Sequence, residues 1–119
     1  MVHVLLVEDE LQVAELTREA LTDAGFRVTV ALDDRMAYRV LEREPRSFAA
    51  VVTDINLGPG VTGFDVARHA RHLNGEIKVI YISGQGPHAR QFRVDGALMV
   101  AKPYDPRDLA ERLAAFVET

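Results

Sequence analysis

Cysteine is absent from the 119 residues, so neither a disulfide framework nor a thiolate metal site can form. No apolar run approaches the roughly 20 residues that span a bilayer. The opening Met1-Val2-His3-Val4-Leu5-Leu6-Val7 lacks the basic start and small-residue cleavage site of a secretory leader. Positive charge is neither dominant nor clustered. The 14 Lys and Arg against 18 Asp and Glu leave a formal charge of −4, which argues against a nucleic-acid-binding stripe. Internal repeats, low-complexity tracts and linkers are also missing. What is present, 48% apolar and 27% charged residues, is the make-up of one globular domain over residues 1–119. The expected setting is cytoplasmic, with no membrane partner, and Met1 directly before the first strand favours a natural N-terminus.

Short apolar runs alternate with amphipathic segments along the whole chain. His3 to Val7 is a continuous apolar run of the kind found in strands buried on both faces. Leu11 to Ala24 follows with a helical period, and Gly25 stands where a helix C-terminal cap belongs. Arg27 to Ala31 reads as a second strand. Asp33 or Asp34 can cap a helix that runs to about Glu44 and is closed by Pro45. Phe48 to Thr53 is the third strand and ends at Asp54. Gly58 to Gly63 is a loop, Phe64 to about Leu73 a helix, and Lys78 to Ile82 the fourth strand. A short helix is expected over His88 to Val94 and a fifth strand over Ala97 to Ala101. Asp105-Pro106 then opens a last helix with the stripe Leu109, Leu113 and Phe116/Val117. Five strands and five helices in alternation predict a doubly wound α/β fold with a parallel sheet. Ligands in such folds sit at the carboxyl ends of the strands, beside the switch in strand order.

Polar residues stand after four of the five strands: Glu8-Asp9-Glu10, Asp54, Ser83 and Lys102-Pro103. An acidic residue after a strand is ordinarily a helix cap, but four strand ends agreeing is a stronger signal. Carboxylates brought together repel and raise one another's pKa unless a cation neutralises them. Mg2+ suits such a group, because it takes a few carboxylates and also coordinates phosphate oxygens. A carboxylate can be the nucleophile for a phosphoryl group, and an ammonium can neutralise the charge that arrives.

Four stretches give these residues a context: Val-Glu-Asp-Glu at 7–10, Val-Thr-Asp-Ile-Asn-Leu at 52–57, Ile-Ser-Gly at 82–84 and Ala-Lys-Pro-Tyr at 101–104. Gly63 and Asp95-Gly96-Ala97 complete the pattern. Over essentially its whole length the chain resembles a bacterial two-component response-regulator receiver domain. The resemblance implies a flavodoxin-like sheet of order 2-1-3-4-5 and Asp54 as phosphoacceptor. It also implies Mg2+ on Asp9, Glu8, Asp54 and the backbone carbonyl of Asn56. Ser83 would be the switch hydroxyl, Lys102 the cation paired with the phosphoryl group, and Lys102-Pro103 a cis peptide. Gln85 stands where the family tunes the lifetime of the phosphorylated state. The implied donor is a histidine kinase or histidine phosphotransfer protein, and the implied target of the signal is a downstream protein or fused output domain. The face made by the 88–94 helix, the fifth strand and the last helix would carry the signal or pair two copies. Such a domain is not an enzyme beyond catalysing its own phosphorylation and dephosphorylation.

Three departures stand out. Glu8 occupies a position where Asp is commoner, and the loop after Asp54 is one residue longer than usual. Met99 stands three residues before the lysine, where the family has an aromatic switch residue; Met fills space but presents no ring. Transmission then falls to loop movement or to Tyr104. His69 and His72 lie three apart on a helix but lack a third ligand, so they read as solvent-exposed. An aspartyl-phosphate phosphatase would need an acid where Asn56 stands. A flavin module would need a hydroxyl-rich phosphate loop in place of Glu8-Asp9-Glu10. An unphosphorylated interaction module is the remaining alternative, opposed by the intact acidic pair, acceptor and lysine.

Overall fold

In the computed structural model, which describes residues 1–58, 63–84 and 92–118, the apolar runs assemble into one five-stranded parallel sheet. The strands are β1 (His3–Val7), β2 (Arg27–Ala31), β3 (Ala50–Asp54), β4 (Lys78–Ser83) and β5 (Leu98–Ala101), in the order β2-β1-β3-β4-β5. The helices are α1 (Leu11–Asp23), α2 (Asp34–Arg43), α3 (Gly63–Leu73) and α4 (Pro106–Val117). Four α-helices are thus present among the described residues where five were expected. The other was expected over His88–Val94, and most of that stretch falls on residues 85–91, outside the described ones.

Side-chain alternation divides the core into two layers. Leu5 and Val7 of β1, Val51 of β3 and Val79 and Tyr81 of β4 meet Ala37 and Leu41 of α2 and Phe64, Val66, Ala67 and Ala70 of α3. Val4, Leu6, Val52, Ile80 and Ile82 face the other way, onto Leu21 of α1 and Leu109, Ala110 and Leu113 of α4. Every residue of β1 and β3 is buried, as continuous apolar runs require.

The helix ends follow local chemistry. Gly25 has φ +98° and Phe26 N–H returns to Leu21 O, so α1 closes in a Schellman turn with Phe26 packed in the same layer as Leu21. Asp33, not Asp34, caps α2, accepting from Met36 N–H at 2.8 Å. Asp105 caps α4, accepting from Arg107 N–H at 2.9 Å with Pro106 in the first turn. The β3 start moves from Phe48 to Ala50, and Phe48 is instead a core residue whose ring packs against that of His3. No helix among the described residues is long and apolar enough to cross a membrane.

Candidate functional site

The order β2-β1-β3 makes the chain leave β1 in one direction and return on its other side, so the switch point lies between the ends of β1 and β3. Glu8 and Asp9 follow β1, and Asp54 ends β3. One oxygen from each of these three carboxylates lies within 4.8 Å of the others. Asp54 and Glu8 are each only 3% exposed, while Asp9 is open to solvent.

Each acid is held by specific donors. Asp54 Oδ1 accepts from Asn56 N–H at 3.1 Å, and Asp54 Oδ2 accepts from Lys102 Nζ at 2.6 Å. Glu8 Oε2 accepts from Glu10 N–H at 3.1 Å. Burial pushes the Glu8 carboxyl up to about 7, the Glu10 N–H works against that rise, and the charge of Asp54 adds to it. Burial acts to lower the Lys102 pKa, but the hydrogen bond and charge of Asp54, helped by Glu8 and Glu10, leave it raised. With all three acids ionised, three carboxylates against one ammonium leave a net of −2, which a divalent cation would balance. Its arrival would favour that state by drawing the proton off Glu8. All three donors are hard oxygens with neither sulfur nor nitrogen among them, a set that suits Mg2+.

Ser83 ends β4, buried, and its carbonyl accepts from Lys102 N–H at 2.9 Å, which aligns the β4 and β5 ends. Lys102-Pro103 is cis. Asp54, Lys102, Glu8, Asp9 and Ser83 therefore share one rim of the sheet. Gln85 lies outside the described residues. Met99 of β5 packs against the α2/α3 layer, opposite Tyr81 of β4. Tyr104 belongs to the α1/α4 layer on the other face of the sheet.

Sequence reasoning missed two hydroxyls. Tyr81 reads as plain core inside an apolar run, yet its hydroxyl accepts from Val94 N–H at 3.1 Å, and its ring lies 4.9 Å from that of Phe64. Thr17 reads as part of the buried stripe of α1, yet its Oγ1 lies 2.7 Å from the Tyr104 hydroxyl. The available signal was general: a buried hydroxyl needs a partner. His69 also departs from expectation. It is half-buried between α2 and α3, its ring edge-on to Tyr38, because position 69 of α3 faces α2. His72 is exposed.

Comparison with known proteins agrees with this fold. Residues 4–114 match the family model of the response regulator receiver domain. The chain is 31% identical over 116 residues to the response regulator receiver protein CpdR of Brucella abortus, covering 95% of this chain and 94% of that protein. A response regulator receiver protein from Sinorhizobium medicae has a similar structure, with TM-score 0.91 and 28% identity, covering 99% of this chain and 95% of that one. The receiver domain of the hybrid histidine kinase CckA gives TM-score 0.83 at 28% identity, covering 97% and 98%. The chain therefore belongs to the response regulator receiver family and is a receiver domain of two-component signalling.

Proposed function

We propose that Asp54 is the phosphoacceptor, taking a phosphoryl group from a histidine kinase or histidine phosphotransfer protein. The observation that carries this reading is the 2.6 Å contact from Lys102 Nζ to Asp54 Oδ2, made at a buried carboxylate that also shares an oxygen cluster with Glu8 and Asp9. A carboxylate gripped by a cation and a backbone N–H is oriented before any donor arrives, which is most of what phosphoryl transfer asks of a protein. An Asp54 oxygen attacks phosphorus, a P–O bond forms, and the bond from phosphorus to the donor nitrogen breaks. The donor imidazole keeps that electron pair and takes a proton. Lys102 then pairs with the phosphoryl oxygens in place of the carboxylate charge, and the Ser83 hydroxyl turns to donate to one of them.

Asp9, Glu8 and Asp54, with the backbone carbonyl of Asn56, would hold Mg2+, which when bound supplies the positive charge that lets a phosphoryl group approach three carboxylates. Phosphorylation then biases a two-state equilibrium in the loop after β4 and in the face that includes β5 and α4. The domain catalyses only its own phosphorylation and dephosphorylation, since Asn56 cannot serve as the second acid of an aspartyl-phosphate phosphatase. Its setting is the cytoplasm, where kinase-borne phosphodonors are made. The output belongs to a separate partner or to a fused domain, and the two relatives, a receiver protein and a receiver of a hybrid kinase, exemplify the two arrangements.

Incubation with acetyl phosphate and Mg2+ should label the protein, and Asp54→Asn should reduce the label to background. Label that persists in Asp54→Asn, or an unlabelled wild type, overturns the assignment.

A further inference from the structure

We infer that Thr17 and Tyr104 form a positioning pair that holds the Lys102 ammonium over the Asp54 carboxylate. The inference rests on the phosphoacceptor reading for its consequence but not for its geometry. Thr17 sits in the middle of α1 and is fully buried, a place where Ala or Leu would suit the helix better. A buried threonine hydroxyl usually bonds back to the carbonyl four residues earlier in its own helix. Here Oγ1 instead lies 2.7 Å from the Tyr104 hydroxyl, 87 residues away in sequence. Tyr104 in turn carries a polar hydroxyl into the α1/α4 layer, which costs free energy unless that hydroxyl is paired.

Tyr104 stands two residues after Lys102, and Pro103 between them has no N–H with which to join a ladder. The segment is therefore pinned at three points. Lys102 N–H bonds Ser83 O at 2.9 Å, the Tyr104 hydroxyl bonds Thr17, and Asp105 caps α4. The Lys102 side chain leaves from between the first two pins and reaches Asp54 Oδ2 at 2.6 Å. Helix α1 also begins directly after Glu8, Asp9 and Glu10. One hydrogen bond thus ties the helix that follows the acidic group to the loop that carries the cation. A purely packing role would be met equally well by Val and Phe at these positions, which keep the shape and drop the bond.

Lys78 and Lys102 are the only lysines in the chain, so the ε-methylene region of an NMR spectrum reports Lys102 as one of two signals. In the wild type, Asp54→Asn should shift the Lys102 signal, because the ammonium rests on that carboxylate. In Thr17→Val/Tyr104→Phe the same substitution should leave it unmoved, while Thr17→Ser should keep the wild-type response. With acetyl phosphate, the double variant should be labelled about 10-fold more slowly, the loss expected of a small misplacement. Its Mg2+ affinity by calorimetry should be undiminished, and a Lys102→Ala background should show no further loss. A Lys102 signal that still follows residue 54 in the double variant overturns the pair. So does a slowed labelling that is equally large without Lys102. If the double variant uncouples Lys102 but the wild type takes no label, the pair stands and the phosphoacceptor reading fails.

Discussion

At Gly63 the start of α3 runs so close to the end of β3 that an added Cβ would lie 2.1 Å from the Asp54 carbonyl oxygen and 2.9 Å from Thr53 Oγ1. The reason for glycine there is thus clearance beside Asp54. Gly63→Ala must push α3 or Asp54 aside, and overpacking of this kind costs about 1–3 kcal/mol. Urea denaturation should show that loss, with slower labelling of Asp54. His3, at the opposite end of β1, is another residue whose surroundings decide its behaviour. Its ring nitrogens lie 2.9 Å from Ser47 Oγ and 2.7 Å from Thr29 Oγ1, and the ring packs at a tilt against Phe48. Burial, followed by the charge of Arg27, holds its pKa below the ordinary 6.5 against the opposing pull of Glu44. The unfolded chain therefore takes up a proton as pH falls through about 6.5 while the folded one resists. The stability owed to neutral His3 is complete above that pH and is lost below it. Thermal melts between pH 7 and 5 should show a fall that is smaller in His3→Gln, and NMR titration should place the His3 midpoint below 6.5.

Among the elements, the helix starts differ in a way that bears on function. The Asp33 side chain caps α2 with a 2.8 Å bond, whereas Glu10 precedes α1 without a side-chain cap. The backbone N–H of Glu10, just before α1, is given to Glu8 Oε2, so the residue that leads into the helix also braces the acidic group. Asp33→Ala should cost about 1 kcal/mol, a typical cap loss. Glu10→Ala should cost well under half of that, and chemical denaturation of the two variants compares them directly. The strands were legible as elements because doubly buried strands are written as unbroken apolar runs, and β1 and β2 match their expected bounds. The edges of β3 and β5 were less so. Phe48 and Ala97 are as apolar as their neighbours but join the core from outside the ladder.

For the molecule as a whole, the decisive fact is the switch in strand order between β1 and β3, which brings Glu8, Asp9 and Asp54 together although 44 residues separate Asp9 from Asp54. Folding therefore concentrates like charge at one rim, which a bound divalent ion would relieve. Mg2+ at ten times its dissociation constant should add about 1.4 kcal/mol to folding stability by mass action. Thermal shift should show that gain in the wild type and its loss in Asp9→Ala.

The alternation of runs and periods, with polar residues at four strand ends, determined the fold class and the members of the rim by sequence alone. Those signals are local: burial on both faces, helical period, and the rule that parallel strands end at a ligand site. Contacts between distant residues were decided only by the tertiary structure. Nothing in the sequence of α1 singles out Thr17 from its buried neighbours, and nothing near Lys102 says that Tyr104 turns toward α1 and away from Met99. Likewise the pairing of Tyr81 with Val94 N–H and the seat of His69 against Tyr38 depend on which helix packs on which face. A hydroxyl's need for a partner is written in one residue, but the identity of that partner is settled by the packing of the whole chain.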